Sequence, residues 1–184
     1  MRRAGSAFLL AALSCTAPAP SASSERFEVD GRPIHPACLL ELIGWISDSD
    51  PVVSAVDVEG SVRSNRYSGG RVTKLTEGWE YRNPDKEGEG FFDYRWLGIS
   101  PRGTHVVLTA ENGGGSGIFY RILFLRLEVR PFFNHDHEER RWVLSCLGEV
   151  GMGDRTRDEA HLEQETLVIR SPEGQERRIP VPAP

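Results

Sequence analysis

No complete catalytic, nucleotide or metal signature occurs anywhere in these 184 residues, so no cofactor follows from a motif. A basic excess is missing as well. Twenty-two Lys and Arg stand against 27 Asp and Glu, giving a net charge of -5, and acids interrupt the bases in HEERRW and RTRDEAHLEQE. Without a basic stripe to neutralise a row of phosphates, nucleic acid is excluded as a partner, and these mixed runs read as solvated faces. Long apolar runs are lacking too: Ala4 to Leu13 holds about ten residues where a bilayer core requires about 20. Cysteine is scarce at three residues, which leaves room for at most one disulfide. Beyond a shared turn tetrapeptide there is no internal repeat.

What is present begins at the amino terminus. Met1-Arg2-Arg3 is a basic n-region and Ala4 to Leu13 an apolar h-region, the grammar of an export signal. Its end, Ala12-Leu13-Ser14-Cys15, resembles the lipobox of bacterial lipoproteins, with Ser14 as the small residue before the cysteine and Ala12 where Leu is usual. The resemblance implies that 1–14 is a signal peptide and that Cys15 opens the mature chain carrying acyl groups. The chain would then contact a membrane through its lipid. Thr16, standing where an Asp would retain the protein at the inner membrane, implies by the same resemblance the outer membrane, facing the periplasm or the cell surface. The competing reading is plain secretion, with cleavage within APAPSA and Cys15 discarded. Residues 15–25 are rich in Pro, Ala and Ser and read as a flexible tether, because nothing large enough to bury lies among them.

The remaining 26–184 suit a single β-rich domain. With Cys15 in the leader, Cys38 and Cys146 are left, and in an oxidising compartment their parity predicts one disulfide. On the chain-entropy account a loop of that length contributes about 4 to 5 kcal/mol. The alternative for Cys146, a catalytic nucleophile, finds no base near it in RWVLSCLGEV.

The segment from Pro36 to Ile46 predicts a short amphipathic helix, with Pro in the first turn and Leu39, Leu40, Ile43 and Ile46 at helical spacing. Everything after it reads as strands: PVVSAVDVEG, RVTKLTEGWEYR and FFDYRWLGIS carry β-branched and aromatic residues. Ser100-Pro101-Arg102-Gly103 and Ser171-Pro172-Glu173-Gly174 have Pro second and Gly fourth, as type I turns prefer, and each predicts a hairpin. In IFYRILFLRLEV, Leu123, Leu125, Leu127 and Val129 share one side while Ile122 and Phe124 take the other, so this strand is expected to be covered on both faces. The fold class expected is α+β, one helix packed on a mainly antiparallel sheet, with a β-sandwich or open β-barrel as the alternative.

Three surfaces are candidates for function. ENGGGSGIFY has no Lys and opens a strand, so it is a hairpin loop and not a phosphate cradle. Asn112, Gly113, Gly114, Gly115, Ser116, Gly117 and Tyr120 are its candidate contact residues for a protein partner in the envelope. Within it, Ser116-Gly117-Ile118-Phe119-Tyr120 resembles the Ser-Gly-x-x-Tyr element of membrane-bound C-type lysozyme inhibitors, small β-barrel lipoproteins. That likeness implies a Ser-bearing loop entering a hydrolase cleft, although the family's downstream Lys-Gly is missing here. In NHDHEER, His135 and His137 lie two apart and can share a zinc or copper ion, pending a third ligand such as His105 or His161, and otherwise form a solvated polar loop. The carboxylate pairs Asp48 and Asp50, and Glu87 and Glu89, sit among loop residues with no apolar pocket to raise a pKa, and GEVGMGD, which follows a strand only to enter a polar loop, lacks the helix of a dinucleotide site. The functional expectation is a non-catalytic envelope binding or assembly module. A hydrolase inhibitor, and a metal-binding protein or hydrolase, are the alternatives.

Overall fold

A computed structural model of the chain describes residues 26–44, 53–64, 66–67, 69–83, 90–134 and 137–184. The leader, Cys15, the tether, Ile46, the two carboxylate pairs and His135 lie outside these residues. Among the described residues twelve strands and two helices follow in order: β1 (Glu28–Val29), β2 (Arg32–Pro33), α1 (Pro36–Ile43), β3 (Ala55–Asp57), α2 (Val58–Ser64), β4 (Arg71–Leu75), β5 (Gly78–Arg82), β6 (Phe91–Ile99), β7 (His105–Asn112), β8 (Phe119–Asn134), β9 (His137–Asp154), β10 (Glu159–Glu163), β11 (Thr166–Arg170) and β12 (Glu176–Pro180).

The main sheet runs β3-β9-β8-β7-β6-β5-β4, antiparallel throughout, and curls into a half-barrel. A second sheet, β10-β11-β12, and the small β1-β2 hairpin complete the strands. The mainly antiparallel sheet with a helix packed on it is therefore as expected. Helix α1 begins at Pro36, where a missing N–H costs nothing, after His35 whose Nδ1 accepts from the Ala37 amide at 3.1 Å. It ends at Gly44, whose amide bonds back to the Leu40 carbonyl at 2.7 Å.

Two hydrophobic cores share the main sheet. On one face Cys38, Leu39 and Leu40 of α1 pack with Phe27, Tyr81, Phe92, Tyr94, Val107, Leu123, Leu125 and Leu144. On the other, Val106, Ile122 and Phe124 meet Ala160, Leu167, Ile169 and Val181. The alternation in β8 thus does divide its residues between two covered faces. Each large aliphatic side chain buried in this way contributes about 1.5 to 3 kcal/mol. The Ser100 and Ser171 turns close the β6-β7 and β11-β12 hairpins, each with a Gly amide bonded to the Ser carbonyl, at 2.8 and 2.9 Å.

Three expectations need correction. The run PVVSAVDVEG does not stay extended. After β3, the Asp57 carboxylate accepts from the amides of Glu59 and Gly60 at 3.1 and 3.2 Å and caps α2, overriding the β preference of its valines. GEVGMGD is not a loop either, since β9 continues through it to Asp154 by two register shifts opposite Tyr120/Arg121 and Phe124/Leu125. The extra residues, Leu147 and Met152, pack toward the second core. Finally, Cys38 and Cys146 are free thiols. Cys38 Sγ donates to the Val58 carbonyl and Cys146 Sγ to the Gly148 carbonyl, both at 3.6 Å. Each thiol is thus directed to its own carbonyl and not to the other sulfur. Burial pushes the Cys38 thiol up to about 12 and raises Cys146, so neither is an activated nucleophile.

Candidate functional site

Aromatic and charged side chains from several elements converge on a groove of about 610 Å³ where β5 begins beside β6, a volume within the range of ligand sites. Its walls come from five segments: Arg26, Phe27 and Glu28 at the start of the domain, Pro33 on β2, Glu77 to Trp79 at the β4-β5 turn, Tyr94 to Leu97 on β6, and Ala160 with His161 on β10. Alternation explains the aromatic lining. Trp79 pairs with Tyr94 across β5 and β6, and Tyr94 and Trp96, two apart, point to the same face. Gly78 stands here for a steric reason. A Cβ on it would meet the Tyr94 carbonyl oxygen at 2.0 Å, and its φ of 146° belongs to glycine. The β4-β5 turn is held against β6 by the ion pair of Arg95 and Glu77 at 2.6 Å.

Behind this wall, His105 of β7 is buried between Phe27 and Trp96, with ring centroids 5.2 and 6.2 Å away. Its surroundings disfavour the imidazolium, and burial takes its pKa down to about 4, so the ring is neutral at pH 7. His105 Nδ1 and Trp96 Nε1 are both buried and have no hydrogen-bond partner among the described residues. Buried polar atoms in folded proteins are nearly always paired, so two orphans beside one groove mark it as a place built to meet something else. Tyr94, by contrast, is satisfied: its hydroxyl donates to the Ile34 carbonyl. The groove combines aromatic area with a rim of both charges, the equipment of a binding site, and the two unpartnered nitrogens lie behind it.

The glycine loop between β7 and β8 is exposed from Gly113 to Ser116 yet internally tied. Asn112 Nδ2 donates to the Gly115 and Gly117 carbonyls at 2.9 and 2.7 Å, and its Oδ1 accepts from the Gly114 amide at 2.7 Å. Asp154 accepts from the Ile118 amide at 2.7 Å, and the Arg155 guanidinium donates to the Ser116 carbonyl. A loop bonded to itself this densely presents a fixed shape. Phe119 is exposed and Tyr120 half-buried.

The described histidines do not assemble. His137 is exposed on β9, His105 is buried in the core, and His161 pairs with Glu163 at 3.0 Å. Among the described residues no group of three or more His, Cys, Asp and Glu is placed to hold a metal ion. His137 lies near the end of a ribbon in which β8 and β9 run on together past Leu125, where Phe132 and Phe133 are exposed and the Arg141 guanidinium covers the Phe132 ring at 4.8 Å. No described helix is long and apolar enough to cross a membrane. The groove went unread in the sequence because its walls are scattered over some 135 positions. Only the clustering of Trp79, Tyr94 and Trp96 hinted at it.

No family model matches the chain, and neither a curated protein nor a solved structure is significantly similar to it.

Proposed function

We propose that this chain is a lipoprotein of the cell envelope, acylated at Cys15 and sorted to the outer membrane. Its domain, an α+β unit, is a binding module that acts without catalysis. The observation that carries the binding reading is the groove: half-buried Trp79 and Trp96 line it, and Trp96 Nε1 and His105 Nδ1 lie unpartnered behind it. The address rests on the leader of the sequence, whose short apolar run ends in Ser14-Cys15.

The domain from Ser24 to Pro184 contains both cores and is the reagent for the test. Immobilised, it should retain a ligand from solubilised envelope that a Trp79→Ala variant of equal melting temperature does not. Equal retention by both proteins removes the groove from the function. Mass spectrometry of the mature protein should find an acylated Cys15 at its amino terminus; an intact terminus downstream refutes the anchor. The exposed Ser116 in its tied loop favours a second reading, inhibition of a hydrolase such as lysozyme, which a direct inhibition assay decides.

A further inference from the structure

The backbone beside the groove narrows the class of ligand. β5 shares its last rung with β6 at Trp79 and Tyr94, while β6 runs on to Ile99 with β7 on its inner side. Among the described residues no strand pairs with the outer edge of Arg95–Ile99, and all five residues are only half-buried. A strand edge left in this state carries N–H and C=O groups without ladder partners and is a template for another chain. β10 is likewise the end strand of its sheet. Ala160 and His161 of β10 line the same groove as Arg95, Trp96 and Leu97, so two unpaired edges border one space.

Resting on the groove as the binding site, the geometry points to an extended peptide as its ligand, bound by strand addition to the outer edge of β6 at Arg95–Ile99. At about 3.3 Å per residue this edge offers roughly 13 to 17 Å, enough for four or five peptide residues. Main-chain hydrogen bonds supply the affinity in this mode, and pockets for alternate side chains supply the selectivity. The half-buried indoles of Trp79 and Trp96 are such walls. The bulge at Leu97, where β6 slips by one residue against β7 between Trp96 and Gly98, bends the edge. It thereby permits a short segment while opposing the indefinite sheet stacking that a flat edge invites.

The test uses a displayed library of random heptapeptides, selected on the Ser24–Pro184 domain and counter-selected on Trp79→Ala. The best binder is then synthesised with a single N-methyl group at each position in turn. Strand addition predicts alternation. Methylation at edge-facing positions lowers affinity by about tenfold or more, and methylation at the positions between leaves it nearly unchanged. Amide hydrogen exchange at Arg95–Ile99 slows when the peptide binds, a readout that requires no variant. Affinity insensitive to N-methylation, unaltered exchange at this edge, or a library that yields no Trp79-dependent peptide overturns the inference. In each case the groove reading survives if envelope material is still retained by the parent and lost by Trp79→Ala, and falls with the inference if it is not.

Discussion

A buried histidine and a half-buried aspartate on neighbouring strands oppose each other as the pH falls. His105 is neutral and 3% exposed, with its pKa taken down to about 4 by burial. Between pH 6.5 and 4 the unfolded chain therefore binds a proton that the folded chain refuses, and stability falls with acidification by about 3 kcal/mol at most across that window. Asp93 on β6 is pushed up to about 6, first by burial and then by the Glu80 charge. Between about pH 6 and 4 its folded carboxyl holds a proton that the unfolded chain has lost, so here acidification adds stability. The contributions offset each other in the parent. Asp93→Asn should make the melting temperature drop more steeply from pH 6.5 to 4 than in the parent, and His105→Leu should make it drop less steeply. Circular-dichroism melts at half-unit pH steps check this, and parallel profiles for all three proteins would show that neither group titrates as described. Burial also sets the cost of breaking an ion pair. Glu111 is 1% exposed and pairs with Arg121 at 3.4 Å, whereas Arg178 and Glu163 pair at 2.7 Å in solvent. Arg121→Met takes a cation away from a buried carboxylate and should lower the urea midpoint clearly, whereas Arg178→Met, at a pair in solvent, should leave it almost unchanged.

Elements formed where local and tertiary signals agree were legible in the sequence. The Ser-Pro-x-Gly turns marked two hairpins because the turn conformation needs only those four residues. The start of α1 followed from Pro36, and the double covering of β8 from the alternation of Ile122 to Val129. Helix α2 was not legible, because its valines favour strands and its start is set by one side chain, Asp57, capping two amides, with Val58 and Val62 packed into the first core. The bulges of β9 were hidden for a related reason: glycine suits a loop and a bulge equally, and only the partner strand decides. The groove depends on tertiary juxtaposition alone. For the Asn112–Gly117 loop the structure sharpens the expectation. The loop carries no core residue, so replacing it with a two-residue Asn-Gly turn should change stability by about 1 kcal/mol or less, as the six residues mainly satisfy one another. Loss of lysozyme binding in that variant, with the melt preserved, supports the inhibitor reading, and equal binding makes the loop a connector.

The molecule is organised around one sheet buried on both faces by segments from opposite ends of the domain. The amino-terminal side contributes α1 and the β1-β2 hairpin, and the carboxy-terminal side contributes β10 to β12. The latter is pinned as well as packed: Thr104 donates to the Pro182 carbonyl at 2.8 Å, and the Arg102 amide to the Glu165 carboxylate at 3.1 Å. Removing 159–184 would uncover Val106, Ile122 and Phe124, at about 1.5 to 3 kcal/mol each. That loss, roughly 5 to 9 kcal/mol, is comparable with the whole net stability of a domain, about 5 to 15 kcal/mol. The cover is a separate sheet that exchanges no ladder bonds with the main one, so the main sheet keeps its own backbone pairing and should collapse only in its packing. A chain ending at Asp158 should therefore retain strand signal in the far ultraviolet, lose its cooperative melt, and bind a hydrophobic dye strongly. A cooperative transition within a few degrees of the parent would mean that the second core is dispensable, and that the first face alone, under α1, sustains the fold.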